Sequence, residues 1–170
     1  MPHLKTISWG NLRMKRKTMV ALWVIVGFGV AVVLTFTVLG HLSRTGQPIG
    51  LVDGKLAPCP NTPNCISSED KADTEHYVPP ISLSVSFPGD ILEMINKVIT
   101  DLGGSVGAVK GSYLSATFKS RLFGFIDDLE IRMDEGAGII HVRSGSRVGY
   151  SDKGVNKKRI ENLKDELTKL

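Results

Sequence analysis

The chain has 170 residues, 42% hydrophobic and 22% charged, with 18 Gly, 8 Pro and 2 Cys. That composition fits one ordinary domain with one accessory segment, and excludes a multidomain enzyme, a collagen-like or low-complexity chain and a disulfide-dense scaffold. The formal charge of +4 is uneven: Lys5, Arg13, Lys15, Arg16, Lys17 and Arg44 precede residue 45 with no acid, leaving 15 Lys and Arg against 17 Asp and Glu beyond it. The folded remainder therefore lacks the basic stripe that nucleic acid would require.

Thr18 to Gly40 runs for 23 residues without a charge, enough as a helix to cross about 30 Å of hydrocarbon. Its apolar residues cover every face and cations cluster at one end, as in a single membrane span rather than a buried core helix. A cleaved signal peptide is the rival. It would carry a shorter apolar region and a small-x-small site, for which TVLGHLSR is a poor candidate, and no lipobox cysteine follows. Five cations precede the span, whereas His41 and Arg44 follow it closely. The positive-inside tendency keeps the N-terminus in the cytoplasm and delivers the rest to the periplasm or exterior. The expected layout is a basic N-terminus (1–17), an anchor (18–40), a polar Gly/Pro-punctuated tether (41–50) and an extracytoplasmic domain (51–170).

Cys59 and Cys65 enclose PNTPN, where two prolines and two asparagines favour turns that bring the sulfurs together, so a disulfide is expected. A zinc site would need His76 with Asp73 or Glu75, in a spacing that matches no established pattern. A separation of five residues is also unlike a redox-active pair.

Ile81 to Phe87 alternates apolar residues with Ser, the period of a half-buried strand. Ile91, Leu92, Ile95, Val98, Ile99 and Leu102 then share one helical stripe, with Asp90 and Glu93 placed for a capping box and Gly103 as the stop. SVGAVK and YLSATFKS flank Gly111-Ser112, a hairpin signal. FIDDLEIRM and GIIHVRSGSR flank Asp134 to Ala137 in the same manner. With Met133 facing Gly138, Ile131 pairs with Ile140 and Leu129 with Val142 on the core side, while Glu130 faces His141 and Asp128 faces Arg143 on a charged side. From Gly154 to Leu170, a second helix carries Ile160, Leu163, Leu167 and Leu170, with Ser151 or Asp152 as its cap. The fold class is therefore α+β: a transmembrane helix, then one domain with a five-stranded, mainly antiparallel sheet and two helices on one face.

Asp127 stands out because it shares the apolar face with Phe125, Leu129, Ile131 and Met133. A buried acid there needs Ser144, a cation such as Arg147, or backbone amides; a raised pKa and an acid–base role are the sharper alternative. His141 to Arg159 is the densest polar cluster. Arg143, Ser144, Ser146, Arg147, Asp152, Asn156 and Arg159 are candidates for binding an anion or a partner beside a helix start. Structural roles are open for the same residues: turns at Gly149 and Gly154, a cap from Asp152, backbone bonds from Asn156, and pairing of the arginines with Asp127 and Asp128. SRLFGF places Leu122 and Phe123 beside Gly124, as a bulge, an exposed apolar loop or core. Arg147 stands where a serine elbow would place its nucleophile, and neither a Walker loop nor a dinucleotide glycine pattern is present. No catalytic residue, metal or cofactor is expected.

GLVDGKLAPCPNTPNCISSED and the run from SATFKS to NKKRIENL resemble the family of the domain of unknown function numbered 1499, through CPxxPNC (Cys59 to Cys65), DDxE (Asp127 to Glu130) and RSxSRxGxxDxGxNxxR (Arg143 to Arg159). Gly145 stands where relatives often carry Ala. The resemblance implies a small protein of bacteria or plastids, often with an N-terminal membrane segment, and supplies no activity. The expected function is that of a membrane-anchored envelope binding or accessory domain whose partner is an envelope protein or an anionic small ligand. The alternatives are a hydrolase-type or other enzyme using Asp127 with Arg143 and Arg147, and a purely structural envelope protein.

Overall fold

A computed structural model describes residues 15–82 and 91–169. The chain divides into two compact units, Met1–Phe36 and Thr37–Leu170. In the first, helix α1 (Arg16–Thr45) begins, and its large side chains, among them Trp23, Ile25 and Phe28, are exposed. Helix α1 has a mean hydropathy of 2.6 over its most apolar window, long and apolar enough to cross a membrane.

The second unit contains the last turns of α1 and the α+β fold. A two-stranded hairpin, β1 (Leu51–Val52) and β2 (Lys55–Leu56), precedes β3 (Cys65–Ser67) and β4 (Ile81–Ser82). Helix α2 (Ile91–Asp101), strands β5 (Ser105–Lys110), β6 (Tyr113–Lys119), β7 (Ile126–Asp134) and β8 (Ile139–Ser146), and helix α3 (Val155–Leu167) complete it. The antiparallel main sheet has the order β3-β8-β7-β6-β5, with β4 also on β8 beyond β3. It has six strands rather than the expected five. The addition, β3, has only three residues, too few for an alternation pattern to register. Residues 83–87 of the expected first strand, Asp90 of the capping box and Leu170 lie outside the described residues.

Both helices cover one face, because their stripes are the residues that need it. Ile95, Val98 and Ile99 of α2 and Ile160, Leu163 and Leu167 of α3 meet Leu114, Ala116, Leu129, Ile131, Met133, Ile140 and Val142 of the sheet. Gly103, at φ 85°, ends α2 as expected. The β7–β8 register is two residues from expectation: Ile131 pairs with Val142, Leu129 with Ser144, Met133 with Ile140, Glu130 with Arg143 and Asp128 with Gly145. The connection begins after Asp134 rather than Met133, since Asp134 still pairs with Ile139 and its Oδ1 accepts the Ala137 amide at 3.1 Å. A two-residue shift leaves every side chain on its original face, so face patterning alone does not distinguish the two registers.

The second face of the sheet is charged as expected, but it is not a solvated surface. Residues of the 43–57 stretch lie over it: Leu56 and Ala57 are buried, and the Gly50 amide donates to Glu130. The stretch expected as a tether at 41–50 accordingly remains helical to Thr45 and is fastened at several points. Ser43 is buried, and its hydroxyl accepts the Ile126 amide at 3.1 Å. Arg44 donates to the carbonyls of Phe123 and Gly124.

Candidate functional site

The polar residues of the C-terminal run divide between the two faces of the sheet. On the helix side, Asn156 is the hub, 1% exposed at the start of α3. Its Nδ2 donates to the Asn64 carbonyl (2.9 Å) and to Ser146 Oγ (3.1 Å), while its Oδ1 accepts from Ser144 Oγ (2.6 Å) and from Arg159 Nη1. Arg159 lies one turn further along α3. Its Nη2 donates to Asp127 at 2.7 Å, and its guanidinium stands 4.4 Å above the Phe118 ring. Asp127 is thus paired with Arg159, rather than with Ser144 or Arg147 as expected, because Ser146 is the residue opposite it. Asp152 accepts the Asn156 amide at 2.6 Å and the Gly154 amide at 3.0 Å, tying down the first turn of α3, although the N-cap residue is Gly154 rather than Ser151 or Asp152 as expected.

On the other side are three ion pairs, of which Glu130–Arg143 is buried at both ends and the other two are partly buried. Glu130, 0% exposed, accepts from Arg143 Nη1 (2.9 Å), the Tyr113 hydroxyl (2.8 Å) and the Gly50 amide (2.6 Å). Arg147 grips both oxygens of Asp128 (2.9 and 2.7 Å), and its third nitrogen donates to the Ser43 carbonyl at the end of α1. Arg132 binds both oxygens of Glu69, whose Oε2 is also 3.6 Å from His141. Burial pushes the Glu69 carboxyl up, but hydrogen bonds from Arg132 and the Leu56 amide, with the charges of His141 and Arg132, hold it below its usual value. For Arg132, the hydrogen bond to Glu69 outweighs desolvation and raises its pKa. Burial, then the hydrogen bond and charge of Glu130, push the Tyr113 phenol far above its usual value.

Of the sequence candidates, Ser144, Ser146, Asp152, Asn156, Arg159 and Asp127 therefore gather on one face, and Arg143 and Arg147 on the other. The sheet separates Asp127 from the two arginines that an enzyme would need beside it. Glu130, Glu69, Tyr113, Asn64 and Ser43 are central to these networks and were not candidates. Glu130 carried a signal, standing in the same DDLE run, but the two-residue register difference gave it His141 as a partner. Nothing in the sequence reveals Ser43, whose tertiary partners Ile126 and Arg147 are more than 80 residues away.

The Cys59 and Cys65 sulfurs stand at disulfide distance, 2.05 Å. His76, proposed for the alternative zinc site, is buried, with Nδ1 2.8 Å from Asp73 Oδ2 and Nε2 3.3 Å from the Thr62 carbonyl. The disulfide loop forms one wall of a cleft of about 540 Å³, lined also by Gln47, Ile49, Asp128, Arg143 and Arg147. Arg143 Nε is buried and has no hydrogen-bond partner among the described residues.

The family model for proteins of unknown function, DUF1499, matches residues 55–167. The chain belongs to that family. No curated protein and no solved structure matches it. The matched region contains both polar networks apart from Ser43 and Gly50, which precede it together with the apolar part of α1. That helix has the character of a single-pass anchor or of a signal sequence, and the cysteine pair suits an oxidising compartment.

Proposed function

We propose that the chain is a bilayer-anchored envelope domain, displayed on the oxidising side of the membrane, that binds a ligand rather than transforming one. The supporting observation is the cleft of about 540 Å³ between residues 46–49, the disulfide loop and the end of β8. Its walls are mostly apolar, and its polar side is formed by Asp128, Arg143 and Arg147 with Gln47 and Ser146. Such a wall suits a small molecule with an apolar body and a carboxylate or phosphate group, met by the Arg143 guanidinium N–H groups that Glu130 does not take up, while Arg147 stays committed to Asp128 and the Ser43 carbonyl. Against catalysis, Asp127, Asp128 and Glu130 are each held by an arginine at 2.7 to 2.9 Å, and carboxylates so neutralised are poorly placed to exchange protons with a substrate.

Native mass spectrometry of the full chain extracted from its own membrane tests this reading. A bound anionic amphiphile is expected on the parent chain and is lost in Ile49→Trp, which fills the cleft from a position 60% exposed. Repeated recovery of the bare chain, or an equal adduct on the variant, contradicts it.

A further inference from the structure

The loop that joins β6 to β7 places an exposed leucine beside the end of the apolar segment of α1. Leu122 is 82% exposed, the most exposed of the large apolar side chains outside the first unit among the described residues. Its neighbour Phe123 backs directly onto α1: a Cβ at Gly40 would collide with the Phe123 carbonyl. The attachment continues along the same side of α1 through Ser43, which accepts the Ile126 amide, and Arg44, which donates to the Phe123 and Gly124 carbonyls.

Gly40 is also where the stretch beginning at Thr18 that carries neither charge nor histidine ends, just before His41. At 1.5 Å per residue that stretch is about 34 Å long, close to the ~30 Å hydrocarbon thickness, so a spanning helix has Gly40 at the boundary between acyl chains and headgroups. A loop packed against residues 40–44 is at headgroup depth. Its composition suits that depth: Lys119, Arg121 and Leu122 are exposed, and no acid occurs from Tyr113 to Ile126. An apolar side chain beside cations is the pattern by which peripheral segments enter an anionic lipid surface.

We propose that the Lys119–Gly124 loop is a second membrane contact, with Leu122 inserted among the lipid headgroups and Lys119 and Arg121 facing anionic phosphates. The inference rests on the anchor reading of α1 and adds to it that the domain itself touches the bilayer.

Three tryptophan reporters in the full chain, with Trp9 and Trp23 replaced by Phe, test it in phosphatidylcholine–phosphatidylglycerol vesicles. They are Leu122→Trp in the loop, Phe28→Trp in the span and Val109→Trp, the last about 17 Å away along the β6 direction from Lys119, for five residues at ~3.3 Å each. Emission is read against lipids brominated at shallow or deep acyl positions and against aqueous acrylamide. The expected result is deep quenching at position 28, shallow lipid quenching with at least threefold weaker acrylamide quenching at 122 than at 109, and loss of the lipid quenching at 122 when Lys119→Glu and Arg121→Glu are added. Quenching by lipid at 28, with 122 behaving like 109, overturns the loop contact and leaves the anchor standing. Absence of lipid quenching at both 28 and 122 overturns both.

Discussion

Replacing Glu130 by Leu removes the one carboxylate that Arg143, Tyr113 and the Gly50 amide share. Arg143, whose side chain is 6% exposed, then holds an uncompensated charge in the interior. Breaking a buried pair in this way costs about 3 to 5 kcal/mol, a large part of the 5 to 15 kcal/mol that holds a domain folded. For a unit of this size, that is a fall in Tm of roughly 10 to 20 °C. Removing both charges in Glu130→Leu with Arg143→Leu leaves the Tyr113 hydroxyl and the Gly50 amide unpaired, at about 1 to 3 kcal/mol each. The double variant is therefore expected to regain part of the loss, and adding Tyr113→Phe to regain more. Thermal unfolding of the full chain in detergent, followed by near-ultraviolet circular dichroism, gives the series. A single variant within about 2 °C of the parent, or a triple variant no more stable than the single, refutes the electrostatic account of this network.

Asn156→Ala removes four hydrogen bonds from a fully enclosed hub and is expected to cost about 2 to 4 kcal/mol, while Asp152→Ala, which strips a side-chain acceptor from the same turn, costs nearer 1; denaturant midpoints compare them. Replacing Cys59 and Cys65 by Ser opens a ring of seven residues and is expected to cost roughly 2 kcal/mol, against no difference between parent and variant once the parent is reduced. Stability also depends on pH at both extremes. The depressed Glu69 carboxyl stabilises the fold above its unfolded value near 4.5, and that contribution is lost as the pH falls through the lower folded value. The raised Tyr113 phenol contributes fully below its unfolded value near 10 and loses that contribution as the pH climbs towards the folded value. Glu69→Gln should flatten the acid limb of the stability profile and Tyr113→Phe the alkaline limb; unchanged limbs contradict these assignments.

The parts of the fold legible in the sequence are those with a period to read. The stripes of α2 and α3, the alternation of β6 to β8, and the glycine stops at Gly103 and Gly111 each follow from local chemistry, and the structure retains them. What local pattern does not carry is what covers the second face. Two- and three-residue strands such as β1, β2 and β3 have no period, and their pairing joins residues as distant as Cys65 and Gly145. Glu130 therefore reads as one more surface acid on a charged face until Gly50 and Leu56 are laid over it. The register of β7 on β8 was hidden for a related reason: both candidate registers keep Leu129 and Ile131 in the core and Asp128 and Glu130 on the opposite face. The same limit applies to Ser43 and Arg147, whose contact fastens the end of α1 to the sheet across 104 positions of sequence.

The compartment occupied by the second unit is the point on which the functional proposal turns. A pair of C-terminal fusions to the full chain measures it most directly: alkaline phosphatase, active only after export, and a fluorescent protein that matures only in the cytosol. The account predicts an active phosphatase and a dark fluorescent fusion, with both tags remaining in the membrane fraction at the full length of the chain. A bright fluorescent fusion and an inactive phosphatase would place the domain on the reducing side and contradict it.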